Sequence, residues 1–192
     1  MTAGVSGTTP QEGTTLRSAE FAALRRTIAA RGTARMVIAP ITCAVWACLA
    51  VLLVLLGQLP LASLLSLGVL VGGFEAIHAL HAGAERIGRY LQVYYEAAPD
   101  GPQWETAAMT VGPALPGGGV DPLFSLLFVG AAVLNLLTAL EPPPTWREIA
   151  AIGLCHAGFV LRVARARVAA ARQRAVELES FRALLLRQRD RG

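Results

Sequence analysis

Four apolar stretches divide the chain: Met36–Leu56, Leu61–His81, Pro122–Leu140 and Trp146–Val168. Each is close to the ~20 residues that a helix rising ~1.5 Å per residue needs to cross a ~30 Å hydrocarbon core. The first (ITCAVWACLAVLLVLL) carries no charge, whereas Arg162 and Arg165 fall near the end of the fourth. Lipid offers no partner to an open strand edge, so each stretch is expected to be a helix. Four such helices in a water-soluble protein would need a large polar shell, and 192 residues at 54% hydrophobic leave none. The expected fold is therefore all-α: a polytopic four-transmembrane-helix bundle, with cytoplasmic helical extensions of the second and fourth spans.

Outside the spans the pattern changes. Residues 1–17 begin rich in Gly, Thr and Ser and predict a disordered tail. In residues 18–32, Phe21, Leu24 and Ile28 recur on one face, with Ser18 as cap and Glu20 in the first turn. This predicts an interfacial amphipathic helix that Gly32 ends, with Thr33 capping the next helix. Residues 33–96 form a hairpin of the first two spans. Its second helix runs on through AERIGRYLQVYYE, where Glu85 and Arg89 make an i,i+4 pair and Ile87, Leu91 and Tyr94 or Tyr95 share a stripe.

Residues 97–121 read as a cytoplasmic loop, with Pro and Gly concentrated at Pro116–Gly119. Its WETAAMTVG segment is expected on the membrane or against the stalk, with Trp104 and Met109 offering a partner contact. Asp121 and Pro122 suit a helix start, as cap and first-turn residue. Residues 122–170 form the second hairpin and 171–192 a cytoplasmic C-terminal helix. Along that last helix Leu161, Ala164, Val168, Ala171, Ala175, Leu178 and Leu185 follow steps of three and four, broken by Arg182. An alanine-rich seam of this kind allows close helix approach, either within one chain or against a second copy.

Charge orients the spans. Five arginines precede the first, none lies in the Gly57–Pro60 turn, two (Arg86, Arg89) follow the second, Arg147 alone separates the third and fourth, and nine run from Arg162 to Arg191. By the positive-inside rule both termini and the middle loop are cytoplasmic. The net charge of +4 then calls for no nucleic-acid partner, and anionic lipid headgroups are the better electrostatic match. The chain has no lysine, which excludes Schiff-base chemistry and a Walker-type phosphate loop. Cys43, Cys48 and Cys155 lie within spans and read as small apolar residues. With no early apolar core in the first 35 residues, the first span is expected to stay as an uncleaved anchor.

Candidate chemistry is confined to a few polar residues. Glu75, His78 and His81, with Glu85 beyond, lie within about 120° on one helix face. Gly68 and Gly72 beside them have small-xxx-small spacing. A carboxylate at that depth costs about 2.5–3.5 kcal/mol by insertion scales, so it should face protein. Helix rise puts Glu75 level with Arg162, His78 with Arg165, and Asn135 with His156. A Glu75–Arg162 ion pair and an Asn135–His156 hydrogen bond are expected. The stripe reads first as a buried seam that fixes helix pairing and second as a proton or ion pathway. Glu75, His78 and His81 are weak metal candidates: a di-iron bundle needs Glu-x-x-His twice, and it occurs once. Haem between His78 and His156 meets a depth difference of roughly 13 Å. No HExxH, GxSxG or Cys-x-x-Cys is present, so neither catalysis nor a cofactor is expected.

The sequence thus predicts a multi-pass protein of a bacterial inner membrane with both termini cytoplasmic. Its expected partners are the lipid bilayer and a homo-oligomer or larger membrane complex. A non-catalytic accessory, scaffold or assembly role is expected first. An oligomeric transporter or channel comes second, and a metal- or haem-binding protein third.

Overall fold

A computed structural model describes residues 10–57, 60–97, 103–111, 122–140 and 143–191. Its elements are helices throughout, with no strand among the described residues. They are α1 (Pro10–Leu55), a short 3-10 turn (Pro60–Ala62) leading into α2 (Ser63–Tyr94), α3 (Trp104–Val111), α4 (Pro122–Thr138) and α5 (Trp146–Arg189). Three of these, α1, α2 and α5, contain segments long and apolar enough to cross a membrane; α4 is a shorter apolar helix of 17 residues.

The first correction concerns α1. Gly32 does not end a helix and Thr33 caps none: one helix of 46 residues runs from Pro10 to Leu55. The expected tail at 1–17 is therefore helical from Pro10, while its first nine residues lie outside the described part. A mid-helix glycine costs about 1 kcal/mol relative to alanine. Packing of both halves of α1 on the same partner, α2, offsets that cost. Arg31 lies over Gly83, where a Cβ would stand 1.9 Å from the guanidinium Nη1. Arg35 Nη1 lies 2.6 Å from His81 Nδ1. The Thr33 hydroxyl turns inward along its own helix and donates to the Ala29 carbonyl at 3.2 Å. Gly57, at φ +57°, closes the α1–α2 turn in the left-handed region that glycine enters without steric cost.

Helix α2 is the central rod. Its Leu67, Leu70, Phe74 and Ile77 form one buried cluster with Ala39 of α1, Phe128, Ala131 and Ala132 of α4, and Phe159, Val163 and Ala166 of α5. Phe74 meets Phe128 and Phe159 edge-on at 5.6 and 5.9 Å, a favourable ring arrangement. Around this core many large apolar side chains face outward, among them Met36, Ile41, Leu52, Leu65, Leu126, Leu134 and Leu154. The close α1–α2 approach is at Gly73, where a Cβ would lie 2.2 Å from Thr42 Cγ2. Gly68 and Gly72 have nothing within 4 Å of an added Cβ, so the expected small-residue contact sits one position on.

Beyond this core α1, α2 and α5 continue together as a three-helix stalk. The expected seam on α5 is not the face used for packing within the chain. Val163 and Ala166 are buried, with Glu177 and Phe181 half-buried on the same side, whereas Leu161, Ala164, Val168 and Ala175 are exposed and Leu178 and Leu185 half-buried. The Ala171 side chain lies outside the described residues. The expected loop at 97–121 contains α3, which packs on the stalk. The Pro116–Gly119 run and the Asp121 cap fall outside the described residues, as does the Met109 side chain; Trp104 is exposed.

Candidate functional site

The polar residues of the apolar half are gathered on Asn135, which has no solvent exposure. Its Oδ1 accepts from Trp46 Nε1 of α1 at 3.2 Å and from Ser66 Oγ of α2 at 2.5 Å. Its Nδ2 donates to the Ser63 carbonyl at 3.0 Å and to His156 Nε2 of α5 at 3.0 Å. One amide on α4 therefore ties α1, α2 and α5. The tautomer follows from the network. His156 Nδ1 lies 2.8 Å from the Ile152 carbonyl, which can only accept, so Nδ1 carries the proton and Nε2 is the acceptor. A second proton on Nε2 would face an amide donor. The network thus closes across four helices.

The Asn135–His156 bond is the one expected from helix rise. The contributions of Trp46, Ser63 and Ser66 are additional. An indole N–H in an otherwise chargeless span was the available signal for Trp46, since that donor needs a partner. The capping box that starts α5 was also legible as Thr-x-x-Glu: Thr145 N donates to Glu148 Oε2 at 2.7 Å, and Glu148 N donates back to Thr145 Oγ1 at 3.4 Å.

The second expected pairing is also formed. Arg162 Nη2 lies 2.7 Å from Glu75 Oε2. It is not sealed, however: both side chains are 42% exposed, so the expectation that Glu75 faces protein is only half met. Arg162 also lies over the Phe74 ring at 5.8 Å, and His78 stacks on the other contact of that ring at 5.9 Å. His81 is drawn away to Arg35, whose guanidinium can only donate, so His81 Nδ1 accepts there. Arg35 also lies over the Phe124 ring of α4 at 5.6 Å. Glu85 belongs to the stalk, with Arg89 and Arg174 at 3.1 and 3.5 Å, and Arg165 is on the exposed face of α5. Glu75, His78 and His81 are thus not convergent, and no group of three His, Cys, Asp or Glu side chains is placed to hold a metal among the described residues.

The stalk carries most of the charge. Arg89, 3% exposed, donates to Glu177 Oε2 at 2.8 Å and to Glu85 Oε2 at 3.1 Å. Arg86 and Gln173 both reach Glu177 Oε1, at 3.1 and 2.8 Å. Burial pushes the Glu177 carboxyl up, but hydrogen bonds from Arg89, Gln173 and Arg86 outweigh it and hold its pKa below the usual carboxylate value. On the other side of α2, Glu20 of α1 accepts from the hydroxyls of Tyr90 and Tyr95. Burial, then Glu20, raises both phenol pKa values. Tyr90 also meets Phe181 of α5 edge-on at 5.8 Å, so it touches all three stalk helices.

Helix α3 closes this assembly. The buried Glu96 carboxylate accepts from the Glu105 and Thr106 amides at 2.8 and 2.7 Å, which satisfies two first-turn donors. Glu105 then pairs with Arg25 of α1 at 2.7 Å, over Gly88, where a Cβ would stand 2.9 Å from Glu105 Oε2. Burial raises the Glu105 pKa, Arg25 opposes that rise, and Glu96 and Glu85 add to it.

No protein-family model, curated protein or solved structure matches the chain. The site's meaning rests on its geometry.

Proposed function

We propose that the chain is a four-span protein of a bacterial inner membrane, with both termini cytoplasmic, acting as a non-catalytic accessory, scaffold or assembly subunit through its stalk. The observation that carries this reading is the Asn135 network. Its polar atoms are all matched to one another across four helices, as expected for a group that fixes helix pairing rather than handling a substrate. Three helices of membrane-crossing length support the location, and the arginine distribution supports the orientation. Helix α4 rises only about 26 Å over its 17 residues, a shortfall that local bilayer thinning accommodates. The stalk and α3 then supply a folded cytoplasmic surface on which another protein can assemble.

The runner-up, an oligomeric transporter or channel, draws on one specific observation: the Glu75–Arg162 pair is half-exposed beside a half-buried His78. Two measurements on one preparation separate the readings. The native mass of the complex, extracted gently from its own membrane, is expected to exceed whole multiples of the chain. Liposomes carrying the purified protein are expected to hold a pH gradient as well as empty ones. Whole multiples of the chain, together with a proton leak that Glu75→Gln abolishes, would overturn the scaffold reading in favour of transport.

A further inference from the structure

The outer face of α5 carries a shallow, open groove, lined by this one helix among the described residues, that the internal packing leaves uncovered. Leu161, Ala164, Val168 and Ala169 make its floor, and Arg165 and Arg172 stand along it with Gln173 at one end. Apolar and cationic residues alternate along the helix. Leu161 lies in the apolar segment, Arg165 one turn on, Val168 after it and Arg172 two turns beyond Arg165, about 10.5 Å by helix rise. Of the neighbouring cations, Arg162 is matched to Glu75 and Arg174 to Glu85, while Arg167 is exposed and does not line the groove. Arg165 and Arg172 have no carboxylate within ion-pair distance among the described residues.

We infer that this groove is a binding site for one anionic phospholipid. An acyl chain lies along Leu161 and Ala164 toward the apolar segment, and the headgroup phosphate sits between Arg165 and Arg172, over Val168. The inference rests on the membrane reading above. Leu161 and Ala164 lie toward the apolar segment and both cations lie beyond them, so the tail and the headgroup of a lipid each meet side chains of matching character. Arginine suits the phosphate because its planar donors reach two oxygens at once. A second copy fits the face less well. In a parallel α5 pair built on the Leu161–Ala164–Val168 stripe, the positions flanking the seam bring Arg167 of each chain against Arg172 of the other, a like-charge contact.

Native mass spectrometry of the detergent-purified full chain, titrated with dioleoylphosphatidylglycerol or dioleoylphosphatidylcholine, tests the site. Retention of the chain in carbonate-washed membranes is checked first; its release into the soluble fraction would overturn the membrane reading and this inference with it. With the chain in the membrane, one phosphatidylglycerol per chain is expected. Its affinity should fall about thirtyfold in an R165Q/R172Q variant. It should also fall in Val168→Trp, which fills the groove without changing charge, and stay within about twofold in R187Q/R189Q, which removes the same charge from the end of α5. All substituted positions are exposed, and unchanged melting temperatures are the control for folding. Equal affinity across the variants, equal binding of phosphatidylcholine, or displacement by inorganic phosphate would each overturn the site. So would a dimer that Val168→Trp disperses, which would assign the face to a second copy.

Discussion

The two halves of the molecule treat polar groups in opposite ways. In the apolar half a single neutral amide, Asn135, serves four helices and is the partner of both Trp46 Nε1 and His156 Nε2. In the stalk the groups are charged and overlapping: Glu177 has Arg89, Arg86 and Gln173, and Glu85 has Arg89 and Arg174. The difference follows from the surroundings. Where water is excluded, an unmatched group costs its full desolvation energy, so a small closed set is the stable solution. Where water reaches one side of each pair, partners can be exchanged at little cost.

The sharpest way to break this comparison is Asn135→Leu. It strands Trp46 Nε1 and His156 Nε2 at once and is expected to cost about 2–4 kcal/mol. Unfolding in detergent should show a larger loss than any single stalk substitution gives. Arg89→Ala comes next. A fully buried pair that loses one member costs about 3–5 kcal/mol, but the overlapping partners of Glu85 and Glu177 should reduce this to about 2 kcal/mol. Removing the second tie as well, in R86A/R89A, should then cost more than the two single losses added together. Simple additivity would show that the redundancy is not real.

The same cluster has a pH signature. Because the folded Glu177 pKa is below its ordinary value, its stabilising contribution is present above that ordinary value, about 4.3, and is lost as pH falls through the folded value. Glu105, whose folded pKa is raised, acts in the opposite sense: it lowers stability as pH rises past about 4.3. Glu177→Gln should therefore flatten the acid-side loss of stability, whereas Glu105→Gln should steepen it. A Glu177→Gln profile that parallels the wild type would remove Glu177 from the account.

Smaller effects test the α1–α2 contact in each half. Gly73→Ala meets the short, branched Thr42 side chain and should cost about 1–3 kcal/mol. Gly83→Ala displaces only the flexible end of Arg31 and should stay within about 0.5 kcal/mol. Equal losses would mean that the stalk is packed as tightly as the bundle. The smallest expected effect is at Glu75 and Arg162. Their exposure limits the coupling measured by Glu75→Gln in wild-type and Arg162→Gln backgrounds to about 0.5–1 kcal/mol.

Axial position was legible in the sequence, and azimuth was not. Counting residues from the ends of apolar runs is enough to place Glu75 beside Arg162 and Asn135 beside His156, because helix rise is fixed. The same counting cannot say which side of a helix faces its neighbour. On α5 two stripes compete, Leu161–Ala164–Val168 and Val163–Ala166–Ala170, and both have small or apolar residues at suitable steps. The choice is made from outside the helix, by Arg89 reaching Glu177 and Tyr90 reaching Phe181. Gly32 misled for a related reason: a local break signal is weaker than the contacts that α1 makes with α2 on both sides of it. Helix α3 is held by Glu96 and Arg25, the latter 80 positions distant from Glu105, so no window on the loop alone predicts it.

The unbroken passage of α1, α2 and α5 out of the apolar region also sets a length. At about 1.5 Å per residue, residues 10–35 extend about 39 Å, residues 82–94 about 20 Å and residues 169–189 about 32 Å. Over the ~20 Å where α2 holds α1 and α5 on either side of it, the helices resist bending far better than a flexible linker of the same residues. Over that length a partner that meets the stalk is held at a set distance from the apolar core, more than the Debye length of ~8 Å at physiological salt. The stalk is a spacer as much as a surface: shortening it by whole turns would change where a partner stands without changing what the partner touches.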